Sequence, residues 1–393
     1  MRVENIKAAK LGPFTDLDLK LAQRLNVFTG NNGVGKSVLL DFVHQSFFKG
    51  GFREPLLGVK KASVQISNFS NEEKIFRWEK RGYNLQSLAK NQALIYQAVD
   101  GAFSVVAGSY EQNLEETQKL AQFNDDYRHG KSGKFGGLYR DLMQWRYENG
   151  AHHEALKDFL HAATGEKASV DREDFLGSES TITEKVPFVK ISGDSIPFPH
   201  LSSGLRSLFK LAHVILFTVD QLNRQRENRS VVAKDWSLLF LVDEPERSLH
   251  PDWQQRFFPA ILAAAQRHFS QVQIMAVTHS PFPLVGFEHK FDQSQDGVFH
   301  IDRHNGVVDI ERIAGQQGTI GDWMLGDAFG LNSVRNRELE AKANNSLELA
   351  QASGGKWELS RLDEELKNVE NWVGRNSRQY AALHMLKRQF AHS

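Results

Sequence analysis

Short apolar runs alternate with amphipathic stretches along the chain, a pattern that predicts an α/β fold. Residues 1–30 read as two or three short strands, with "LDLKL" (Leu17–Leu21) alternating apolar and polar side chains and "RLNVF" (Arg24–Phe28) apolar enough for a core strand. In "KSVLLDFVHQSFF" (Lys36–Phe48) the apolar residues at 39, 42, 43 and 47 share one helical face. Two hairpins are then expected, "ASVQISNF" with "KIFRWEKRGY", and "ALIYQAVDGAFSVV" turning at Asp100-Gly101. From about Gly108 to Gly165 the chain is charged and helix-forming ("GLYRDLMQWRYE", "HHEALKDFLHAA"), which predicts a helical lobe inserted into the α/β core at about 108–205. The strand pattern returns near "VPFVKISG", followed by the helix "RSLFKLAHVILFTVDQLNRQRE" and the strands "SLLFLV" and "QIMAVT". "TGEKASVDREDFLGSESTITE" and "RQRENRSVVAKDW" read as exposed loops.

After about Arg335 the sequence is polar and helical, so residues 1–340 are expected as the main domain and 341–393 as a helical appendage. In the appendage Leu359, Leu362, Leu366, Val369 and Val373 form a narrow stripe, expected to pack on the main domain.

Composition narrows the chemistry. Lys plus Arg equals Asp plus Glu, 48 against 48, so overall charge does not mark a general nucleic-acid binder. The absence of cysteine excludes disulfides, thiolate metal sites and cysteine nucleophiles. No apolar run has membrane-spanning length and the first 30 residues hold no apolar signal core, so a soluble, cytoplasmic protein without a membrane partner is expected. At 393 residues there is length for two or three domains.

Four motifs carry the candidate chemistry. The first is "FTGNNGVGKSVLL", in which Gly30, Asn31, Asn32, Gly33, Val34, Gly35, Lys36 and Ser37 fit the phosphate-loop pattern G-x-x-x-x-G-K-[ST]. Glycines let successive backbone N–H groups turn toward phosphate oxygens. Lys36 would bring charge to the terminal phosphates, Ser37 a hydroxyl to Mg²⁺, and the helix behind them the positive end of its dipole. The second is "SLLFLVDEPERSLHP", five apolar residues of a buried strand ending in Asp243 and Glu244. Alternation along the strand is expected to send the two carboxylates different ways, Asp243 toward the metal and Glu244 toward the attacking water as its base. The third, "QIMAVTHSPF", ends an apolar strand in Thr278-His279, where a histidine can donate to a γ-phosphate. The fourth, "LSSGLRSLFKLAHVI", starts a helix at Ser202, Ser203 and Gly204, with Ser203 expected near the N-cap.

In this order the four motifs resemble the ABC-type ATPase head in its non-transporter branch, the AAA-family ATPases that include SMC, RecF and OLD-family proteins. The resemblance spans roughly residues 1–340 and implies a P-loop head with a mixed sheet, an antiparallel β subdomain and an inserted helical lobe. It also implies ATP and Mg²⁺, with Lys36 and Ser37 on phosphate and metal, Asp243 serving the metal, Glu244 as base and His279 as γ-phosphate switch. Ser203 and Gly204 would contact a nucleotide held by a second subunit, giving a homodimer bridged by ATP, open to higher assembly, with Ser248 and Leu249 crossing the interface. The signature departs from the commonest version, having Ser203 in place of glycine and Leu205-Arg206 in place of a Gly-Gln ending. Gln97 and Gln112 are both candidates for the metal-contacting glutamine.

Stand-alone ATPases of this shape resemble subunits of bacterial antiviral systems that act with a separate effector, a nuclease or a toxin. A nuclease within the chain is not expected, because no D-x-D pair follows His279. A RecF-like DNA-repair ATPase is the alternative, with nucleic acid as partner through "GRNSRQYAALHMLKRQFAHS" (Gly374–Ser393). A transporter ATPase fits "SLHP" poorly. "GDSI" lacks a supporting triad, and "HHEALKDFLH" has Lys157 where a zinc helix needs its second histidine.

Overall fold

In the computed structural model the apolar runs become strands; residues 2–9, 11–47, 61–67, 73–79, 82–83, 88, 91–108, 136–175, 185–224, 236–304, 307–315, 318–329, 337–353, 357–373 and 377–391 are described. Strands β1 (Arg2–Ala8), β2 (Leu17–Lys20) and β3 (Leu25–Gly30) precede helix α1 (Lys36–Gln45). After it come β4 (Lys61–Ser67), β5 (Glu73–Glu79), β6 (Gly82–Tyr83), β7 (Gln92–Gln97) and β8 (Phe103–Ala107). Helices α2 (Gly136–Glu148) and α3 (Ala151–Thr164) lead into β9 (Ala168–Phe175), β10 (Lys185–Ile191) and β11 (Asp194–Pro197). Next are α4 (Ser203–Arg224), β12 (Ser237–Asp243), α5 (Pro251–Gln266), β13 (Gln271–Val277) and α6 (Phe282–Phe287). β14 (Asp296–His304), β15 (Val307–Ile313) and α7 (Ile320–Leu325) complete the first of two compact units, Met1–Phe329.

Seven strands in the order β15-β14-β3-β13-β12-β7-β8 form the central sheet. From β14 to β7 every neighbouring pair is parallel, and antiparallel β15 and β8 occupy the edges. Both faces are covered, which explains the unbroken apolar run in β12. Leu238, Phe240 and Val242 belong to the cluster that includes α3, α4 and α5, while Leu239 and Leu241 belong to the one that includes α1. All five are 0% exposed, and each buried side chain of this size contributes roughly 1.5–3 kcal/mol.

A second, antiparallel sheet (β2-β1-β4-β5-β6) joins the α1 side of the core through Val3, Ile6 and Leu19. Gln273 of β13 ties the two sheets together: its Oε1 accepts from Val3 N at 2.8 Å, and its Nε2 donates to Val3 O and Ala22 O, both at 2.8 Å. At the same end of β3, Arg24 grips Asp296 of β14 with two hydrogen bonds of 3.0 and 2.6 Å. Both expected hairpins form, β4–β5 and β7–β8, the latter turning through Gly101 at φ 80°.

The stretch from 108 to 205 contains α2 and α3, and also the three-stranded sheet β11-β10-β9. Residues Ala168–Phe175, expected in an exposed loop, are strand β9 paired with β10. Ala168 and Val170 are buried while Arg172 and Asp174 are exposed, and the pairing with β10 shifts register between Val170 and Arg172, so the charged run lies past a bulge in a paired strand rather than in a loop. Arg172 lies over the Phe188 ring at 4.7 Å. The rest of that expected loop, residues 176–184, lies outside the described residues, as do residues 225–235 and Gln112.

The second unit, Gly330–Ser393, contains α8 (Arg337–Ala352), α9 (Leu359–Val373) and α10 (Arg378–Ala391). Leu362, Leu366 and Val369 are buried with Ala343 and Ala350 of α8 and Leu383 of α10. The middle of the stripe is therefore covered by neighbouring helices of its own unit, a correction to the expectation that it packs on the main domain, and Leu359 at its start is exposed.

Candidate functional site

Parallel pairing brings the motif-bearing strand ends together. Phe28 of β3 is level with Val277 of β13, and Val277 with Asp243 of β12; Gln97 of β7 is level with Val242. Beyond Phe28 the chain enters the phosphate loop. Gly30 has φ 127°, and a Cβ there would lie 2.0 Å from Ile301 O, so no other residue fits beside β14. Gly33 has φ 77° with open space around it, whereas a Cβ on Gly35 (φ 106°) would strike Pro13 Cγ at 2.4 Å. Asn31 and Asn32 are exposed and Val34 is buried, anchoring the loop. Gly35, the N-cap of α1, provides no side-chain cap, so the first helical amides are left for an anion.

Lys36 is buried and curls back, its Nζ donating to Gly30 O at 2.9 Å and Asn31 O at 2.7 Å. Burial brings its pKa down to about 8, opposed by the nearby charges of Glu244, Asp243 and Glu246. Ser37, half-buried, follows it in the helix.

Asp243 ends β12 and is 1% exposed. Glu244 has already left the strand: at φ 50° and ψ 62° it caps the short 3₁₀ turn Pro245–Ser248. A left-handed step, rather than strand alternation, therefore redirects the second carboxylate, which differs from the expectation. For a non-glycine residue that conformation costs about 1–3 kcal/mol and is found where the surroundings hold it. Glu244 N donates to Val277 O at 2.9 Å. The His279 Nε2 lies 3.7 Å from Glu244 Oε1. Burial, helped by the Lys36 charge and opposed by Glu244, holds the imidazole below its ordinary pKa.

One neighbouring group was not singled out from the sequence. Glu246 Oε1 accepts the His279 backbone N–H at 2.7 Å. Burial pushes its carboxyl up to about 7, against the lowering effect of that hydrogen bond. The signal available was a carboxylate two residues beyond Glu244 in a proline-stiffened turn, which without a fold reads as a solvated side chain.

At the start of α4, Ser202 rather than Ser203 is the cap, its Oγ accepting Leu205 N–H at 3.3 Å; Ser203 is the first helical residue and is exposed. Gly204 packs against the turn after Glu244, since a Cβ there would lie 2.6 Å from Ser248 O. Ser207 Oγ and Ser248 Oγ are 3.1 Å apart. Among the described residues no hydrogen bond joins Ser203 or Gly204 to the phosphate loop. The chain brings Lys36, Asp243, Glu244 and His279 into one neighbourhood and groups Ser203 and Gly204 with Ser248.

Gln97, of the two glutamine candidates, ends β7 with its Oε1 buried and without a hydrogen-bond partner. Ser37 and Asp243 are oxygen donors of the kind Mg²⁺ takes. Among the described residues no group of three or more His, Asp or Glu side chains could hold a metal alone, so most ligands of such an ion would be phosphate and water. In the C-terminal segment Lys387 is paired with Asp363 and Leu383 is buried, while residues 374–376 lie outside the described residues. Among the described residues no helix is long and apolar enough to cross a membrane.

Residues 25–284 match the protein family described as "AAA domain, putative AbiEii toxin, Type IV TA system". The chain belongs to this family. Its AAA domain has the α/β fold of a P-loop ATPase, built on the sheet described above. Septu protein PtuA of Bacillus thuringiensis is 24% identical over 301 residues, which is 71% of this chain and 72% of that protein. The SMC head domain from Thermotoga maritima aligns over 80% of this chain and 100% of its own, with a TM-score of 0.43 and 14% identity. The recombination mediator RecF with ATP aligns over 80% of this chain and 98% of its own, with a TM-score of 0.40 and 13% identity.

Proposed function

We propose that this AAA domain binds and hydrolyses ATP as a nucleotide-driven pairing switch. The observation that carries the reading is the convergence, at one end of the central sheet, of a glycine-rich loop, Lys36, buried Asp243, and the Glu244–His279 pair at 3.7 Å. The loop amides and Lys36 would hold the phosphates. Ser37 and Asp243 would hold Mg²⁺, which offsets phosphate charge when bound. Glu244 would orient the water and take its proton, and His279 would donate to the γ-phosphate.

The pairing follows from the start of α4. Ser203 is exposed and no hydrogen bond joins it to its own chain's phosphate loop, which supports the reading that its helix end meets a nucleotide on a second copy. Two ATPs would then lie in one two-fold interface, and loss of the γ-phosphate would release it. The family match and the relation to a Septu protein support a place in antiviral defence beside a separate nuclease or toxin.

The test is ATP hydrolysis by the purified chain, with sedimentation in ATP and in ADP. Turnover with ATP-dependent pairing is expected; a protein that neither hydrolyses ATP nor pairs in its presence overturns the reading. Co-purification with the product of a neighbouring gene tests the effector.

A further inference from the structure

We propose that Glu246 is a positioning residue of the switch, gripping the His279 main chain so that the phosphate-sensing histidine and the base Glu244 move as one piece. The inference rests on the ATPase reading above and deepens it.

Two strand ends meet here, and they are stitched twice. Glu244 N donates to Val277 O at 2.9 Å, from the β12 side to the β13 side. His279 N donates back to Glu246 Oε1 at 2.7 Å. Between the two carboxylates stands Pro245, whose ring fixes φ, with Glu244 locked in the left-handed region before it. A pull on Glu246 therefore reaches Glu244 through a segment with little torsional slack. Helix α5 closes the loop of contacts. Gln254 Nε2 donates to Leu249 O at 2.9 Å and to Glu246 O at 3.3 Å, while Gln254 Oε1 accepts Ser280 Oγ at 2.7 Å. Glu246 is thus held at both side chain and main chain, and His279 at its main chain, by one short ring of residues.

The Thr278 side chain also acts on the Glu246 carboxyl, so the group is held between the two residues that follow β13. A glutamine would serve the His279 amide equally well through its carbonyl oxygen, and an alanine would not serve it at all.

The experiment compares binding of a non-hydrolysable ATP analogue (AMP-PNP) and of ADP, each with Mg²⁺, by calorimetry on the full chain. The variants are Glu246→Ala, Glu246→Gln, Glu246→Asp, His279→Ala and the double Glu246→Ala/His279→Ala. Glu246→Ala is expected to lower the preference for AMP-PNP over ADP by about fivefold or more, with ADP affinity within about twofold of wild type. Glu246→Asp, one methylene short of the amide, should lose the preference similarly and covers the case of an alanine variant that does not fold. Glu246→Gln should keep it. The double variant should lose no more than His279→Ala, as expected for groups acting as a unit. The inference is overturned if Glu246→Ala and Glu246→Asp keep the wild-type preference, if they weaken both nucleotides equally, or if the double variant is additive. Wild-type protein that binds neither nucleotide overturns the ATPase reading itself, a result distinct from these.

Discussion

His279 Nε2 stands 3.7 Å from Glu244 Oε1, and the Lys36 ammonium acts electrostatically on both. That separation is too long for a direct hydrogen bond and short enough for both groups to address one intervening atom. Because the imidazole is held below its ordinary pKa, it is neutral at pH 7 and donates a single N–H.

Glu244→Gln should leave analogue binding within about threefold of wild type and slow turnover by about 100-fold or more, the usual contribution of a general base. The two-copy form should then persist. Sedimentation in ATP checks this, and a monomer at saturating nucleotide would contradict it.

Lys36→Met should remove nucleotide binding, a loss of about 100-fold or more in a titration with AMP-PNP. The same variant probes the buried charge. The folded chain holds this proton less tightly than the unfolded chain, so the charge destabilises fully below about pH 8 and less as pH rises toward the ordinary value of 10.5. The Tm of Lys36→Met relative to wild type should therefore be higher at pH 7 than at pH 10.

For Glu246 the sign is reversed. Its folded pKa is raised from 4.5 to about 7, so the stability it contributes is complete below pH 4.5 and lost as pH rises through about 7. Glu246→Gln should gain stability relative to wild type between pH 5 and pH 8, by on the order of 2 kcal/mol. Melting curves across that range decide it; a constant difference would mean that the carboxyl titrates normally.

Gly204→Ala places a methyl group 2.6 Å from the Ser248 carbonyl. Overpacking of this kind costs about 1–3 kcal/mol, which outweighs the gain of up to about 1 kcal/mol that alanine brings within a helix. A fall in Tm is expected, while a rise would show that α4 and the turn after Glu244 do not approach so closely.

The central sheet was legible because its strands are buried on both faces, so Leu238–Val242 could only be a core run. The phosphate loop, the acidic strand end and the histidine were legible because each pairs a local pattern with a chemical need. Contacts distant in sequence were not. The Glu246–His279 bond spans 33 residues, and nothing local distinguishes Glu246 from a solvated acid. Ser202 and Ser203 are equally able caps, and only the helix start selects the first. β9 was hidden by its own charges, since Asp171 to Asp174 read as loop until Val170 and Ala168 are seen facing inward. The stripe of α9 had the right spacing, but spacing does not name what covers it.

Gln273 has a mechanical consequence. One amide group, fully engaged, rivets the first strand and the approach to β3 onto β13, the strand that leads to His279. The two sheets are thereby one girder, and the Val3 amide should exchange with solvent as slowly as the interior of β13. If the chain turns ATP over as proposed, any movement that follows is expected in its helices rather than between these two sheets.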